Sequence, residues 1–293
     1  MSLLYSASLR AFRHSDVDMI RVATWNLWCR HGNWQERQPA IFSTLATLDA
    51  DIVGLQEVST REPDQVSHLH TDLGYHVACS PDEENDRWGI ANVIASRWPI
   101  TDQGWSYLDV GDMPPHRTVL WVTVDSPVGE LTVYCTHLSH GFDNSALRQR
   151  QLAQICEQIV DRRSDPKESF PPILLGDLNA VPESDEIRRL TGLGPAYVPG
   201  LVATDSWAQC GAGAGETYSD DNPYVVDSAW PNRRLDYVLT GWPRPRPQGN
   251  PVSVDRFGIA PVNGVVASDH YGVVATIAVK SLLNLDAGRP NHP

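Results

Sequence analysis

Residues 173–179 have the sequence Ile-Leu-Leu-Gly-Asp-Leu-Asn, an apolar run that ends in a carboxylate and an amide. Pro171 and Pro172 precede the run, and its length and composition predict a short buried β-strand. An isolated acid or amide at the end of a strand usually forms a turn or a cap. Asp177 and Asn179 become informative because the same pattern recurs along the chain.

Polar residues interrupt, end or directly precede five other apolar runs. They are Asn26, Glu57, His137, Asp236 and the adjacent pair Asp269 and His270. Polar groups at the strand ends of an open sheet converge on the crevice where ligands bind. Six such positions, drawn only from acid, amide and imidazole side chains, predict one catalytic or binding centre rather than six unrelated caps.

The chain alternates strand-like and helix-like segments. Strands are predicted at residues 20–28, 52–58, 90–96, 119–124, 131–136, 235–239 and 272–279. Apolar residues spaced three and four apart predict amphipathic helices around residues 41–48 and 152–159. Pro127 and Gly129 turn two consecutive strands into a hairpin. This mixture predicts the α/β (α+β) class, a layered sandwich of mixed sheets.

No segment has the composition of a linker, so we predict a single domain over residues 20–280. Residues 1–19 lack the basic start and long apolar stretch of a secretory signal and are expected to form a disordered leader. The alternative for this leader is an organelle transit peptide. Residues 281–293 are expected to be a tail. No run of eighteen apolar residues occurs, so stable membrane insertion is not expected.

Five cysteines are scattered along the chain without a Cys-x-x-Cys pair. This pattern predicts free thiols in a reducing compartment, by default the cytoplasm, rather than a disulfide framework or a zinc site. The sequence also lacks the Gly-x-Ser-x-Gly elbow of serine hydrolases and the His-Glu-x-x-His pair of zinc peptidases. Those two enzyme classes are therefore disfavoured.

Charge and aromatic content bear on possible ligands. The formal net charge is −13, from 36 acidic and 23 basic residues, which disfavours an extended interface with duplex DNA. Ten tryptophans are many for this length, and several lie in polar stretches, including Trp28, Trp34, Trp88 and Trp105. We expect these four to pack in the core. The alternative is an aromatic rim that stacks a base or inserts into lipid.

Six short motifs resemble the endonuclease/exonuclease/phosphatase (DNase I-like) superfamily. They are Thr-Trp-Asn-Leu (24–27), Leu-Gln-Glu-Val (55–58), Thr-His-Leu (136–138), Gly-Asp-Leu-Asn (176–179), Leu-Asp-Tyr-Val (235–238) and Ser-Asp-His-Tyr (268–271). They occur in the order found in that family and span nearly the whole chain. The resemblance implies a four-layer sandwich, in which two mixed β-sheets pack face to face with helices outside. It also implies metal-dependent hydrolysis of phosphate esters, most simply of diesters.

The resemblance assigns metal ligands. Hard oxygen donors without cysteine suit Mg²⁺, with Mn²⁺ as a substitute. Glu57 matches the principal metal ligand of the family, Asn26 lies beside it, and Asp269 is a further candidate.

The resemblance also assigns catalytic roles. Asp177 matches the residue that orients or activates the attacking water, and Asn179 would hold the phosphate or that water. His270 matches the imidazole that contacts the phosphate, with Asp236 fixing its tautomer, and His137 is a candidate acid for the leaving group. Two arginines outside the motifs are candidate phosphate clamps, Arg117 and Arg148; for Arg148 we expect a solvated charge on a polar helix face.

The substrate stays open between a nucleic acid, a phospholipid and a small phosphorylated metabolite. The acidic composition favours small or unusual phosphoesters. No obligate protein partner is evident from the sequence. The alternative from another functional class is a non-catalytic family member that binds a phosphorylated ligand or a protein partner. The complete set of site residues argues for the enzyme.

Overall fold

The structure is a computed structural model that describes residues 19–61, 64–82, 89–111, 117–245 and 247–279. The predicted tail, and the predicted leader except Met19, lie outside these residues. No helix in the described ranges is long and apolar enough to span a membrane.

The described residues form two six-stranded sheets. The first sheet has the order β11-β12-β1-β2-β4-β3 and contains β1 (Met19–Asn26), β2 (Ile52–Ser59), β3 (His76–Cys79), β4 (Ile90–Ser96), β11 (Pro251–Phe257) and β12 (Gly272–Ala278). The second has the order β5-β6-β7-β8-β10-β9 and contains β5 (Ile100–Leu108), β6 (Arg117–Ser126), β7 (Gly129–His137), β8 (Ile173–Asp177), β9 (Val202–Asp205) and β10 (Asp236–Trp242). The helices are α1 (Trp34–Leu48), α2 (Gln65–Thr71), α3 (Ser145–Arg162), α4 (Asp185–Leu190) and α5 (Ser206–Cys210).

Both sheets are mixed. The pairs β1/β2 and β7/β8 are parallel, and the chain crosses between their strands through α1 and α3. Parallel neighbours require such a crossover, whereas the hairpin of β6 and β7 closes through a short turn. The parallel pairs direct the carboxyl ends of their strands to one edge of each sheet.

The two sheets pack face to face through aliphatic side chains. The central cluster joins residues such as Val22 and Ile52 of the first sheet to Val133 and Leu175 of the second. At Gly54 a Cβ atom would lie 2.8 Å from the Cβ atom of Leu175. A glycine is therefore needed here for the sheets to approach closely.

Helices cover the outer faces of both sheets. Ile41 and Leu45 of α1 pack on the first sheet, and Leu152 and Ile155 of α3 pack on the second. These are the apolar stripes that predicted the helices. The four-layer sandwich of two mixed sheets flanked by helices is confirmed.

Arg148 is not the solvated charge that we expected. Its side chain is buried, and its Nε atom donates to Glu186 Oε1 at 2.8 Å. Its Nη1 atom donates to the carbonyl oxygens of Ser139 and Gly141. A helical pattern could not indicate this burial, because the loop after β7 and helix α4 cover that face of α3. Arg148 thereby fixes the loop that follows His137.

We expect Arg148→Met to lower the free energy of unfolding by about 3–5 kcal/mol, because it leaves Glu186 buried without its cation. Urea denaturation at neutral pH measures this loss. The matched control is Arg150→Met, on the same helix, whose ion pair with Asp109 is largely exposed. That variant should lose less than about 1 kcal/mol. Equal losses in the two variants would contradict the structural role of Arg148.

Candidate active site

Strand register aligns three predicted site residues across neighbouring strands of the second sheet. His137 of β7 pairs with Asp177 of β8, and Asp177 pairs in turn with Asp236 of β10. All three side chains are buried. Adjacent strands thus place an imidazole and two carboxylates at one end of the sheet.

The first sheet contributes Glu57 from an irregular part of β2. The pairing of β2 with β4 shifts register between Leu55 and Val58, which is a β-bulge. Glu57 lies in this bulge with φ of 52°, in the left-handed region that glutamate avoids. Such a conformation costs about 1–3 kcal/mol and is typical of functional sites. The bulge re-aims the carboxylate, whose side chain remains 19% exposed.

Asn26, at the end of β1, connects the acids of the two sheets. Its Nδ2 atom donates to Glu57 Oε1 at 3.1 Å and to Asp177 Oδ2 at 3.2 Å. Its Oδ1 atom accepts the backbone N–H of Trp28 at 2.9 Å. The amide therefore presents its nitrogen to the carboxylates, and this orientation does not match the predicted role of Asn26 as a metal ligand.

His270 is held by Asp236. The His270 Nδ1 atom lies 2.9 Å from Asp236 Oδ2, and Asp236 is fully buried. Burial alone would lower the pKa of His270, but the carboxylates of Asp236 and Asp177 raise it well above its usual value. We therefore assign His270 as an imidazolium whose Nε2 atom faces Asp177 Oδ2 at 3.8 Å.

His137 is held differently, by a cation. Arg117 Nη1 lies 3.0 Å from His137 Nδ1, and since a guanidinium only donates, Nδ1 must be the acceptor. Burial and the charge of Arg117 lower the pKa of His137 well below its usual value. The proton of the neutral ring is then on Nε2, 3.5 Å from Asp177 Oδ2. This state fits a hydrogen-bond donor and disfavours the predicted role as an acid.

Two carboxyl groups of the site have pKa values raised towards neutral pH. Burial and the neighbouring Asp236 raise the pKa of Asp177 to about 6. Burial raises the pKa of Asp269 to about 7, although His270 opposes this shift. Asp177 Oδ1 accepts the backbone N–H of Asn179 at 2.9 Å, while Asn179 Nδ2 donates to Leu138 O. These bonds orient Asp177 and leave its Oδ2 atom facing both histidines.

The carboxylates fit a divalent cation. Raised pKa values at Asp177 and Asp269 reflect crowded, buried negative charge, which a cation would relieve. Ligand atoms of Asp177, Asp236 and His270 lie within 4.8 Å of one another. However, Asp236 is sealed and bonded to His270. Magnesium keeps several waters, so the partly exposed Glu57 and Asp269 are better placed ligands.

Part of this set lines a cleft of about 230 Å³. Five of the predicted residues line it, namely Glu57, His137, Asp177, Asn179 and His270, together with the candidate clamp Arg117. The predicted residues Asn26, Asp236 and Asp269 are not among its lining residues. Sequence reasoning missed His140, Tyr218, Trp230 and Arg233. His140 follows Thr-His-Leu by two residues, and Arg233 precedes Leu-Asp-Tyr-Val by two. Their closeness to these motifs is the feature of the sequence that could have indicated them.

Several known proteins are similar to this chain in sequence or in fold. The Endonuclease/Exonuclease/phosphatase family matches residues 23–270. Protein angel of Drosophila melanogaster is 23% identical over 273 residues, which cover 84% of this chain and 73% of that protein. D. rerio TDP2, solved in complex with a single-strand DNA product, superposes with a TM-score of 0.68 and 19% identity, covering 88% of this chain and 98% of that one. Mannosyl-6-phosphatase of Bacteroides thetaiotaomicron superposes with a TM-score of 0.68 and 18% identity, covering 88% and 99%.

The structural likenesses, at these identities, establish the fold. The family match spans most of the chain and includes every predicted site residue, from Asn26 to His270. The chain therefore belongs to the endonuclease/exonuclease/phosphatase family of phosphoester hydrolases.

Proposed function

We propose that this protein hydrolyses phosphate diesters by attack of water, with Mg²⁺ as its metal and Mn²⁺ as a substitute. One observation carries the proposal. Asp177 Oδ2 lies 3.5 Å from His137 Nε2 and 3.8 Å from His270 Nε2. A carboxylate and two imidazoles thus face one small volume, where a water and a phosphoryl group would meet.

Asp177 acts as the general base. It accepts a proton from the attacking water as the water oxygen bonds to phosphorus and the ester oxygen leaves. Its pKa of about 6 keeps most of the population ionised at neutral pH, yet basic enough to accept a proton. The backbone N–H of Asn179 and the amide of Asn26 hold this carboxylate in place.

The two histidines stabilise charge on the phosphoryl oxygens. His270 does so as a cation supported by Asp236, and His137 as a neutral Nε2–H donor supported by Arg117. Donors that are fixed before the reaction act where the charge grows, and in many enzymes this stabilisation contributes more to the rate than any other effect. A divalent cation held by Glu57 and Asp269 would supply Lewis-acid stabilisation of the same oxygens and of the leaving oxyanion.

The cleft suits an anionic phosphoester. Arg117, Arg233 and the cationic His270 line it together with the carboxylates of Glu57 and Asp177, and a bound divalent cation would add positive charge. Among such esters we propose a diester, as the family resemblance implies. Comparing hydrolysis of bis-p-nitrophenyl phosphate and p-nitrophenyl phosphate tests this choice. We expect faster turnover of the diester, and a preference for the monoester would redirect the assignment to a phosphatase.

The alternative is a non-catalytic protein that binds a phosphorylated ligand or a protein partner. It is distinguished by tight ligand binding without turnover of either ester. The poised base and the complete histidine pairs favour catalysis. The cysteines are all free thiols, which supports the proposed cytoplasmic location.

We expect Asp236→Asn to move the alkaline limb of the pH profile of kcat/KM to lower pH by about 1–3 units. Asp236 raises the pKa of His270, and activity that needs the imidazolium is lost as pH rises through that pKa. Removing the carboxylate charge lowers the pKa, so the loss begins at lower pH. Rates between pH 5 and 10 measure the limb, with Asp102→Asn, at an exposed position on β5, as the control variant. An alkaline limb that does not move in Asp236→Asn would contradict the proposed effect of Asp236 on His270.

A further inference from the structure

Three residues that line the cleft, and a fourth that packs against two of them, form what we call the aromatic rim: Tyr218, Trp230 and Arg233 line the cleft, and Phe142 packs against Trp230 and Arg233. The rings of Phe142 and Trp230 stack almost in parallel, with centroids 3.8 Å apart and planes at 10°. Phe142 is nevertheless 53% exposed and Trp230 37% exposed. Two large rings that stack on each other but remain open to water form a ready platform rather than a core contact.

Arg233 lies against this platform. Its guanidinium carbon is 4.5 Å from the centroid of Phe142 and 4.9 Å from that of Trp230. Among the described residues, its buried Nε atom has no hydrogen-bond partner. The side chain is thus positioned by ring stacking, and it lines the cleft, where its positive charge would attract an anionic ligand.

The aromatic rim adjoins the reacting groups. The ring of Tyr218 meets the ring of His270 edge to face, with centroids 5.3 Å apart. Trp230 and Arg233 line the same cleft as Asp177 and His270. A group attached to a phosphoryl centre in the cleft would therefore lie over the rim.

The size of the cleft limits what it encloses. Its volume of about 230 Å³ falls below the roughly 300–1,000 Å³ of pockets that enclose a drug-sized ligand. A phosphate and an adjoining sugar would occupy most of this volume, so an attached purine or pyrimidine would lie against the part of the wall formed by Trp230 and Arg233. That is where the platform of Phe142 and Trp230 is exposed.

We propose that the aromatic rim binds a nucleobase, so that the substrate is a nucleotide ester whose base stacks on Trp230 and whose phosphate contacts Arg233. This inference rests on the proposed phosphodiesterase function. Stacking on parallel rings flanked by a guanidinium would stabilise a bound flat base, and any base can stack because each has a π-face. A flexible lipid chain would not be stabilised by the parallel arrangement of the rings. The negative net charge argues for a short or terminal nucleotide rather than a long duplex.

The tryptophans that were expected to pack in the core do not do so where they are described. Trp105 is exposed and Trp28 and Trp34 are half-buried, so the core packing expected for them is wrong, while Trp88 lies outside the described residues. Among the described tryptophans, Trp230 lines the cleft.

The test compares two esters with the same leaving group: thymidine 5′-(p-nitrophenyl phosphate) and its abasic analogue, which lacks only the base. We expect the wild type to favour the base-bearing ester in kcat/KM by roughly 5- to 100-fold. Trp230→Ala should reduce this ratio to near one, and Trp230→Phe should retain much of it. The matched control is Trp242→Ala. Trp242 is 54% exposed and ends β10, at the opposite end of that strand from Asp236. In Trp242→Ala the kcat/KM ratio of the two esters should equal that of the wild type.

A wild-type ratio near one, or a ratio unchanged by Trp230→Ala, would overturn the base-binding role. Equal rates on both esters together with Trp230-dependent binding to anionic phospholipid vesicles would assign the rim to lipid instead. If the wild type hydrolyses neither ester, the proposed function fails, and the rim is judged by calorimetry alone. Thymidine 5′-monophosphate should then bind more tightly than deoxyribose 5-phosphate in the wild type but not in Trp230→Ala. Equal binding would reject the inference.

Discussion

Asp177→Asn is expected to lower kcat for diester hydrolysis by about 10²–10⁴-fold, the usual contribution of a general base. The substitution keeps the shape of the side chain but removes the atom that accepts the proton from water. The backbone N–H of Asn179 can still bond the remaining oxygen. KM should change far less than kcat, because the lost interaction belongs to the transition state.

The fold should tolerate this change. The charged form of Asp177 is already disfavoured by burial, so a neutral side chain relieves that cost. Against this, the new amide nitrogen replaces Oδ2, which accepts from Asn26 Nδ2 at 3.2 Å, and two donors then face each other. We expect a net loss of about 1–3 kcal/mol in urea denaturation. Asp102→Asn, at an exposed position on β5, is the control for both measurements. A folded Asp177→Asn protein with wild-type kcat would remove Asp177 from the mechanism.

Glu57→Gln is expected to weaken Mg²⁺ binding by at least about 10²-fold. Loss of a residue that only supports a ligand typically costs 10–100-fold in metal affinity, and a direct ligand should cost no less. The amide keeps the hydrogen-bonding shape of the side chain but lacks the charge that holds a hard cation. Activity at low Mg²⁺ should fall in parallel and recover in part as Mg²⁺ is raised. Isothermal titration calorimetry and rates over a Mg²⁺ series measure the two effects.

The matched control is Glu130→Gln, an exposed glutamate at the opposite end of β7 from His137. Its Mg²⁺ affinity should equal that of the wild type. The outcome also separates two metal sites. If the cation instead binds among Asp177, Asp236 and His270, then Glu57→Gln would retain full affinity and His270→Ala would lose it.

The sequence predicted those parts of the fold that local patterns determine. Apolar runs such as residues 173–175 and 131–136 became β8 and β7, because a strand buried on both faces has few other residue types to use. The polar residues that ended those runs then met through strand register, as His137, Asp177 and Asp236 show. A short motif therefore predicted both a strand and a site residue.

Features fixed by distant parts of the chain were not predictable in this way. Strand β9 and helix α5 lie in residues 192–231, a region rich in glycine, proline and alanine with no periodicity, and Tyr218 and Trp230 lie there too. Helix α5 packs against β11 of the first sheet and β10 of the second, Tyr218 meets His270, and Trp230 stacks on Phe142, all of which are distant in sequence. The burial of Arg148 and the amide orientation of Asn26 are likewise set by partners far away in sequence.

The most direct test of the proposed function is the initial rate of bis-p-nitrophenyl phosphate hydrolysis by the wild-type protein, first stripped with EDTA and then titrated with Mg²⁺. The proposed mechanism predicts no turnover after stripping, a saturable rise with Mg²⁺, and a rise reduced by at least about 10²-fold in Asp177→Asn. Turnover that persists in EDTA, or that Asp177→Asn retains in full, would contradict metal-dependent hydrolysis at this site.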